Sequence, residues 1–363
     1  MPADVFAAIE RGERLERAAA IRLAEGASLH ELGYLADCTR RRLLGDRPIT
    51  YVVDRNINYT NVCSSKCRFC AFYRDPDAAD AYVLEPAAVH RKIEETLAVG
   101  GTGILMQGGL HPGLDIRFFE TLLRGIRERY AVDLHCFSPP EIVHIATVSG
   151  ITLTECLSRL MAAGLGSLPG GGAEILDDTV RGRISPRKCS AAEWLLVMET
   201  AHGLGLCTTA TMMFGCGENL ASRMNHLESL RRLQDRTGGF VAFIPWTFQS
   251  ARTDLGDEGG LEATAVEYLR FLALSRIYLD NFRSVQSSWV TQGLKIAQVA
   301  LAFGANDIGS VMLEENVVAA TGTVNRTNEA ELRRLIRDAG FTPARRNNRH
   351  EIIEPPAGAA AAR

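Results

Sequence analysis

Three cysteines, Cys63, Cys67 and Cys70, fall within the stretch NVCSSKCRFCAFYR with the spacing C-x3-C-x2-C. A structural zinc site closes with four ligands, and ferredoxin-type motifs also supply four thiolates per cluster. Three close thiols with no near fourth suit an iron–sulfur cluster that leaves one iron open, and an open metal site implies chemistry where a closed one implies structure. His111 is the best local candidate for a fourth ligand on the closed reading. Around the thiols, Ser64, Ser65, Lys66 and Arg68 can turn backbone N–H groups and positive charge toward cluster sulfurs. Phe69, Phe72 and Tyr73 can shield such a cluster or serve as ordinary core. Cys38, Cys136, Cys156, Cys189, Cys207 and Cys216 stand singly and read as small buried residues.

The chain that must position this loop has 363 residues, 46% hydrophobic and 23% charged, enough for two average domains or one large α/β barrel. A net charge of −3 argues against a nucleic-acid surface, which needs clustered Lys and Arg. The basic run CTRRRLLGDR closes an amphipathic segment and reads as a solvated helix face. No apolar run reaches the ~18 residues of a membrane span, and the N-terminus lacks an apolar signal core. A cytoplasmic enzyme without membrane or nucleic-acid partners is expected. In that setting nine irregularly spaced cysteines are free, metal-bound or catalytic rather than paired in disulfides.

Residues 1–47 carry apolar positions at helical spacing, with Ser28 and Glu31 placed as a capping box. From about residue 50 short β-branched runs alternate with amphipathic stretches. The strand candidates are INYTNV, GTGILMQGG, VDLHCFSP, GLGSLPGGG, LCTTATMMFG, FVAFIPWTFQ, SVQSSWV and ANDIGSVML. Helical stretches fall near 86–99, 115–130, 141–164, 190–204, 219–237, 262–280, 292–303 and 327–339. Eight such units predict an α/β fold, a TIM-type (β/α)8 barrel, with a six-unit open barrel as the alternative. The expected organisation is a helical N-terminal extension over 1–47, the barrel over 48–320, and a C-terminal helix with a frayed tail, EPPAGAAAAR, over 321–363. Active residues should then gather where strands end.

The cysteine spacing with an aromatic before the last thiol, placed after a first barrel strand, resembles the radical S-adenosylmethionine superfamily. That resemblance implies a 4Fe-4S cluster on Cys63, Cys67 and Cys70, with S-adenosylmethionine chelated by the open iron. Further segments, among them ILMQGGLHPGL, SPPEIVHIA, GLGSLPGGGAEIL, TTATMMFG, GGFVAFIPWTFQ and SSWVTQGLKIAQVAL, resemble the family of dehypoxanthine futalosine cyclases of menaquinone biosynthesis. Aminofutalosine synthase and the subunits that build the deazaflavin core of coenzyme F420 are sister families.

The superfamily's Gly-Gly-Glu-like segment is represented here by Gln107, Gly108 and Gly109, so the usual acid is displaced or absent. These three, with Phe69, Ser138 and Glu174, are the expected cofactor contacts. Glu141 could instead cap the helix that PPE begins. Thr247, Gln249, Gln286, Trp289 and Ser310 are the expected substrate contacts, and Arg345 and Arg346 could meet a benzoate but, near a tail, would more often be solvated. The implied reaction removes hydrogen from the ribose C4′, closes the carbon radical onto the aryl ring, and loses a proton and an electron. Asp307 and Glu314 are the expected candidates for the base. A low-potential donor such as flavodoxin or ferredoxin is the implied partner, with dehypoxanthine futalosine as substrate. A non-catalytic iron–sulfur or zinc protein is the reading from another class.

Overall fold

The computed structural model describes residues 3–259 and 262–354; most of the expected frayed tail lies outside the described residues. The first strand candidate is displaced toward the N-terminus. Pairing begins at β1 (Ile49–Val52) and β2 (Asp54–Ile57), one chain run interrupted at Val53, whereas the first residue of INYTNV, Ile57, is the last of β2 and the rest of that segment is the loop beyond. The run ITYVV is buried throughout, so it lacks the alternation that marks a half-exposed strand.

The next strands are β3 (Gly103–Met106), β4 (Asp133–Cys136), β5 (Ser167–Leu168), β6 (Cys207–Phe214), β7 (Phe240–Thr247) and β8 (Ser284–Val285). β2 through β8 form one seven-stranded sheet, paired in sequence order and parallel throughout. β9 (Asp307–Ser310) meets β8 through a parallel bridge from Gln286 to Asp307, and pairs with β1 through Thr50 and Val52. The curled sheet thus returns to its first strand, and the eight expected units make the barrel. Two strands were not foreseen. β10 (Pro343–Arg346) runs parallel to β1, and β11 (Ile352–Glu354) pairs antiparallel with β10.

Alternation along the strands decides what faces inward. Asp54 and Asn56, Leu105 and Gln107, Thr209 and Thr211, and Ile244 and Trp246 all line one interior cavity. Their neighbours Ile104, Met106, Ala210, Met212 and Phe243 are fully buried in the apolar core. The helix Ile116–Arg127 shows how the outer layer forms: Ile116, Phe119, Leu123 and Ile126 recur at three- and four-residue spacing and are buried, and Asp115 caps its first turn.

The N-terminal extension is three helices, Ala3–Glu10, Arg17–Gly26 and Leu29–Leu44. The third opens with the expected capping box, the Ser28 N–H donating to Glu31 Oε2 at 2.7 Å and the Glu31 N–H to Ser28 Oγ at 3.3 Å. It packs against the barrel helix Ala265–Tyr278. The single helix expected over 141–164 divides at Gly150, whose φ of 65° ends one helix before Thr152 caps the next.

Candidate active site

The cysteine loop leaves β2 and is pinned from several sides. The Cys63 N–H donates to the Arg74 carbonyl at 3.1 Å, that of Arg68 to Ile184 at 2.9 Å, and that of Cys70 to Cys67 at 3.0 Å. Lys66 turns the chain with a φ of 46°. Burial pushes the Cys70 thiol up to about 11, and the neighbouring Cys67 adds to this, while the N–H groups of Phe72 and Tyr73 donate to its sulfur. Cys67 is also raised by burial, against the pull of Lys188 and the Ser65 hydroxyl 3.3 Å from its sulfur. Buried thiols of this kind become thiolates only with a metal or compensating charge beside them.

Lys188, which sequence reasoning missed, provides such a charge. Its ammonium lies 2.7 Å from Glu174 Oε1 and 5.1 Å from the centre of the Phe69 ring. Burial opposes its protonation, but the Cys67 sulfur and the Glu174 carboxylate outweigh that and raise it. Among the described residues, buried Glu174 Oε2 has no partner. An unpaired buried carboxylate oxygen is costly, which marks this spot for a donor the protein does not itself contribute.

Gln107, Gly108 and Gly109 follow β3 and lie against this loop, and the glycines are dictated by contact distance. A Cβ on Gly108 would stand 2.6 Å from the Tyr59 ring. One on Gly109 would stand 2.7 Å from the Val62 carbonyl carbon and 2.9 Å from Cys63 Cβ. Glu141 braces the same corner. It accepts from Tyr59 Oη at 2.8 Å, the Gly108 N–H at 3.0 Å, and the Ser138 N–H and Oγ at 2.7 and 2.6 Å. Glu141 is therefore a cap and a strut, and the Ser138 hydroxyl proton is committed to that cap.

These residues fit an iron–sulfur cluster with one open iron. The donor set is three thiols with a cation and N–H groups behind them, and an unpaired carboxylate nearby. Among the described residues no group of three or more His, Cys, Asp or Glu converges as a single metal ion requires. A cubane takes its thiolates on separate irons and asks for no such convergence. His111, the candidate fourth ligand, has Nδ1 occupied by the Gly113 N–H at 3.0 Å.

Inside the barrel lies a cavity of ≈ 290 Å³. It is lined by Gln107 and Gly171 at one end and by Asp54, Asn56, His135, Ser287, Arg346 and His350 among others, with Trp246, Trp289 and Met312 on its walls. Of the expected substrate contacts, Gln286, Trp289 and Ser310 are brought together here. The indole N–H of Trp289 donates to the Ser310 carbonyl at 2.9 Å, and the Ser310 hydroxyl donates to Asp54. Thr247 and Gln249 are not among the lining residues. Thr247 Oγ1 accepts from Gln292 Nε2 at 2.6 Å and from Gln249 Nε2 at 3.2 Å, and Gln249 Oε1 accepts from Thr323 at 2.9 Å.

Both candidate bases are paired with cations. Asp307 is fully buried and held by Arg346 at 2.5 and 3.0 Å, by the Thr50 hydroxyl at 2.5 Å and by the Gly309 N–H at 2.7 Å. Burial alone would raise it, but Arg346 holds it below the usual carboxylate range. Glu314 is bound by Lys92 at 2.6 Å and lies 3.4 Å from Arg55, and it does not line the cavity. Its neighbour Glu315 does line it, though three N–H groups of Val317, Val318 and Ala319 occupy its carboxylate at 2.8–2.9 Å. Arg346 is neither solvated nor free to meet a benzoate. Its place in β10 carries it into the barrel, where it is paired.

Asp54 and His135, an acidic and an imidazole group that also face the cavity, were missed. Asp54 is raised by burial, with Ser310 working against this. His135 is brought down to about 3 by burial and then by Arg346, and its Nδ1 lies 2.7 Å from Ser167 Oγ. The signal was available in part: D-R-N places polar residues at i and i+2 within a strand otherwise buried.

The radical SAM superfamily model matches residues 57–230, and a model described as the CofH/MqnC C-terminal region matches residues 237–358. The chain is 44% identical over 343 residues to a cyclic dehypoxanthine futalosine synthase of Halalkalibacterium halodurans, covering 94% of this chain and 92% of that one. The synthase of the same name from Streptomyces coelicolor is 42% identical, with coverages of 94% and 86%. A 5-amino-6-(D-ribitylamino)uracil–L-tyrosine 4-hydroxyphenyl transferase of Methanothermobacter thermautotrophicus is 43% identical, with 91% of each chain covered. Among solved structures, the FeFe-hydrogenase maturase HydG from Carboxydothermus hydrogenoformans superposes with a TM-score of 0.75 at 16% identity, covering 94% of this chain and 79% of that one. Methylornithine synthase gives 0.73 at 17%, covering 94% and 97%. At such identities these two show the fold.

Proposed function

The chain belongs to the radical SAM superfamily, in the group that carries the CofH/MqnC C-terminal region, and on that premise we propose that this enzyme closes dehypoxanthine futalosine into its cyclic form. The observation that carries the choice within the group is the cavity. At ≈ 290 Å³ it sits at the small end of ligand pockets and suits one substrate folding on itself. A transferase of the kind named among the relatives brings two substrates together.

A 4Fe-4S cluster on Cys63, Cys67 and Cys70, with S-adenosylmethionine on its open iron, would supply a 5′-deoxyadenosyl radical on one-electron reduction. The rest is done by the chain. Lys188 offsets thiolate charge beside Cys67, and the N–H groups of Phe72 and Tyr73 support Cys70. Gly108 and Gly109 let the end of β3 close on the loop, so that Gln107 reaches the cavity. Trp246, Trp289 and Met312 wall the space and exclude water and stray hydrogen donors, which keeps a reactive substrate on course. Holding C4′ and the aryl ring in contact turns ring closure into a positioned intramolecular event. The net change is loss of two hydrogens from the substrate.

Anaerobically reconstituted enzyme given S-adenosylmethionine, a reductant and dehypoxanthine futalosine should release 5′-deoxyadenosine and a product two mass units lighter. Turnover of 5-amino-6-(D-ribitylamino)uracil with tyrosine, and none of the futalosine, would replace this reading with the transferase.

A further inference from the structure

The wall of the cavity formed by β2 and the start of the segment after β8 holds polar groups left unpaired among the described residues. Asn56 is 6% exposed, its Oδ1 is buried without a partner, and its amide makes no side-chain hydrogen bond among the described residues. Ser287 is fully buried and its Oγ also lacks a partner among the described residues. Both line the cavity. Asp54, two residues before Asn56 and therefore on the same strand face, receives, among the described residues, only the Ser310 hydroxyl from another side chain. Native interiors pair such groups, so several unpaired ones around one cavity point to a ligand that completes them.

Charge says what kind of ligand. The cation on this wall, Arg346, is already neutralised by Asp307, which takes both of its near nitrogens. His135 and His350 are held neutral by burial, each down to about 3. The Asp54 carboxyl adds either a negative charge or a neutral acid, never a positive one. A carboxylate entering here would meet no free cation, whereas hydroxyl groups both donate and accept and carry no charge.

We propose that Asn56, Ser287 and Asp54 form the subsite that takes the hydroxyl-bearing sugar end of the substrate, and that the aryl carboxylate points away from it. Asn56 and Ser287 bind hydroxyls directly; Ser310 positions Asp54. This rests on the cyclase reading of the same cavity, but it concerns a polyol end that the transferase-type substrate 5-amino-6-(D-ribitylamino)uracil also has.

The test is anaerobic titration calorimetry on holoenzyme with S-adenosylmethionine, using dehypoxanthine futalosine and its 2′,3′-dideoxy analogue. Asn56→Ala should weaken binding of the hydroxylated compound about tenfold and that of the dideoxy analogue by less than about twofold. Ser287→Ala should show the same pattern, and it stands in if Asn56→Ala fails to fold by circular dichroism. Equal losses for the two compounds would mean a packing role and overturn the assignment, as would unchanged binding of the hydroxylated one. If wild type ignores the futalosine but binds 5-amino-6-(D-ribitylamino)uracil with the same dependence on Asn56, the subsite stands and the cyclase reading falls. Binding of no hydroxylated compound overturns both.

Discussion

Gly109→Ala isolates the contact that seats the end of β3 on the cysteine loop. The added methyl would lie 2.7 Å from the Val62 carbonyl carbon and 2.9 Å from Cys63 Cβ, and nearer still to the Val62 carbonyl oxygen. Two of those atoms are backbone, so no side chain can swing aside. Relief requires the two segments to part by roughly 1 Å, since packed interiors leave no slack of that size. The Gly109 N–H bond to Thr60, 3.0 Å long, would stretch or break with it. Overpacking of this kind costs about 1–3 kcal/mol. Because Cys63 follows Val62 directly, the strain also moves one thiol relative to Cys67 and Cys70. The variant should unfold several degrees earlier, and after anaerobic reconstitution it should hold less than about half the wild-type iron and sulfide, a loss expected when a ligand shell is misplaced. Gly125→Ala is the control. It lies in the helix Ile116–Arg127 with nothing within 4 Å of its added methyl, and should stabilise by about 0.5–1 kcal/mol with iron unchanged. A Gly109→Ala protein with full iron and an unaltered melting temperature would refute the close-approach reasoning.

Three further outcomes are expected. Lys188→Met leaves the Glu174 carboxylate buried without its cation and strips positive charge from Cys67, so iron content and the cluster's reduction potential should both fall, while Lys188→Arg should hold most of each; an unchanged potential in the Met variant would argue against contact between Lys188 and the cluster. Arg346→Met breaks an ion pair whose side chains are 5% and 0% exposed, and should destabilise by about 3–5 kcal/mol in denaturant titration; a loss below about 1 kcal/mol would show that Asp307 is satisfied without it. His135, His226 and His350 sit near 3 and His202 near 4 because burial disfavours their charged forms. The unfolded chain takes up protons below about pH 6.5 where the folded one does not, so these groups cost nothing above that pH. Stability should decline as pH falls from 6.5 toward 4, by on the order of 1 kcal/mol per pH unit for each histidine, and a flat melting temperature between pH 7 and 5 would contradict their burial.

The cysteine loop was legible because its meaning is local: three thiols in one turn need no tertiary knowledge to be read as an incomplete ligand set. The barrel was legible for a related reason, since each βα unit carries its own periodicity, and the boundaries of β3, β6 and β7 fall inside the expected runs. The first strand escaped because burial on both faces erases alternation, and β10 escaped because PARR carries two charges that composition assigns to solvent. Those charges are tolerated inside only because Asp307 and Glu354 wait at the right places, some forty and nine residues away. Such pairing is invisible until the chain is folded. The same blindness hides which carboxylates are already engaged. Asp307 opens β9 and Glu314 lies past its end, and a carboxylate in either place is available for chemistry only if no cation reaches it first; here Arg346 and Lys92 do. Asp54 lies in the opposite situation. It opens β2, midway along the run from Ile49 to Ile57, where a sequence reader discounts an acid, yet it faces a cavity with, among the described residues, a hydroxyl as its one side-chain partner. Position along the chain nominates a functional carboxylate; the partners that topology brings to it decide whether it can act.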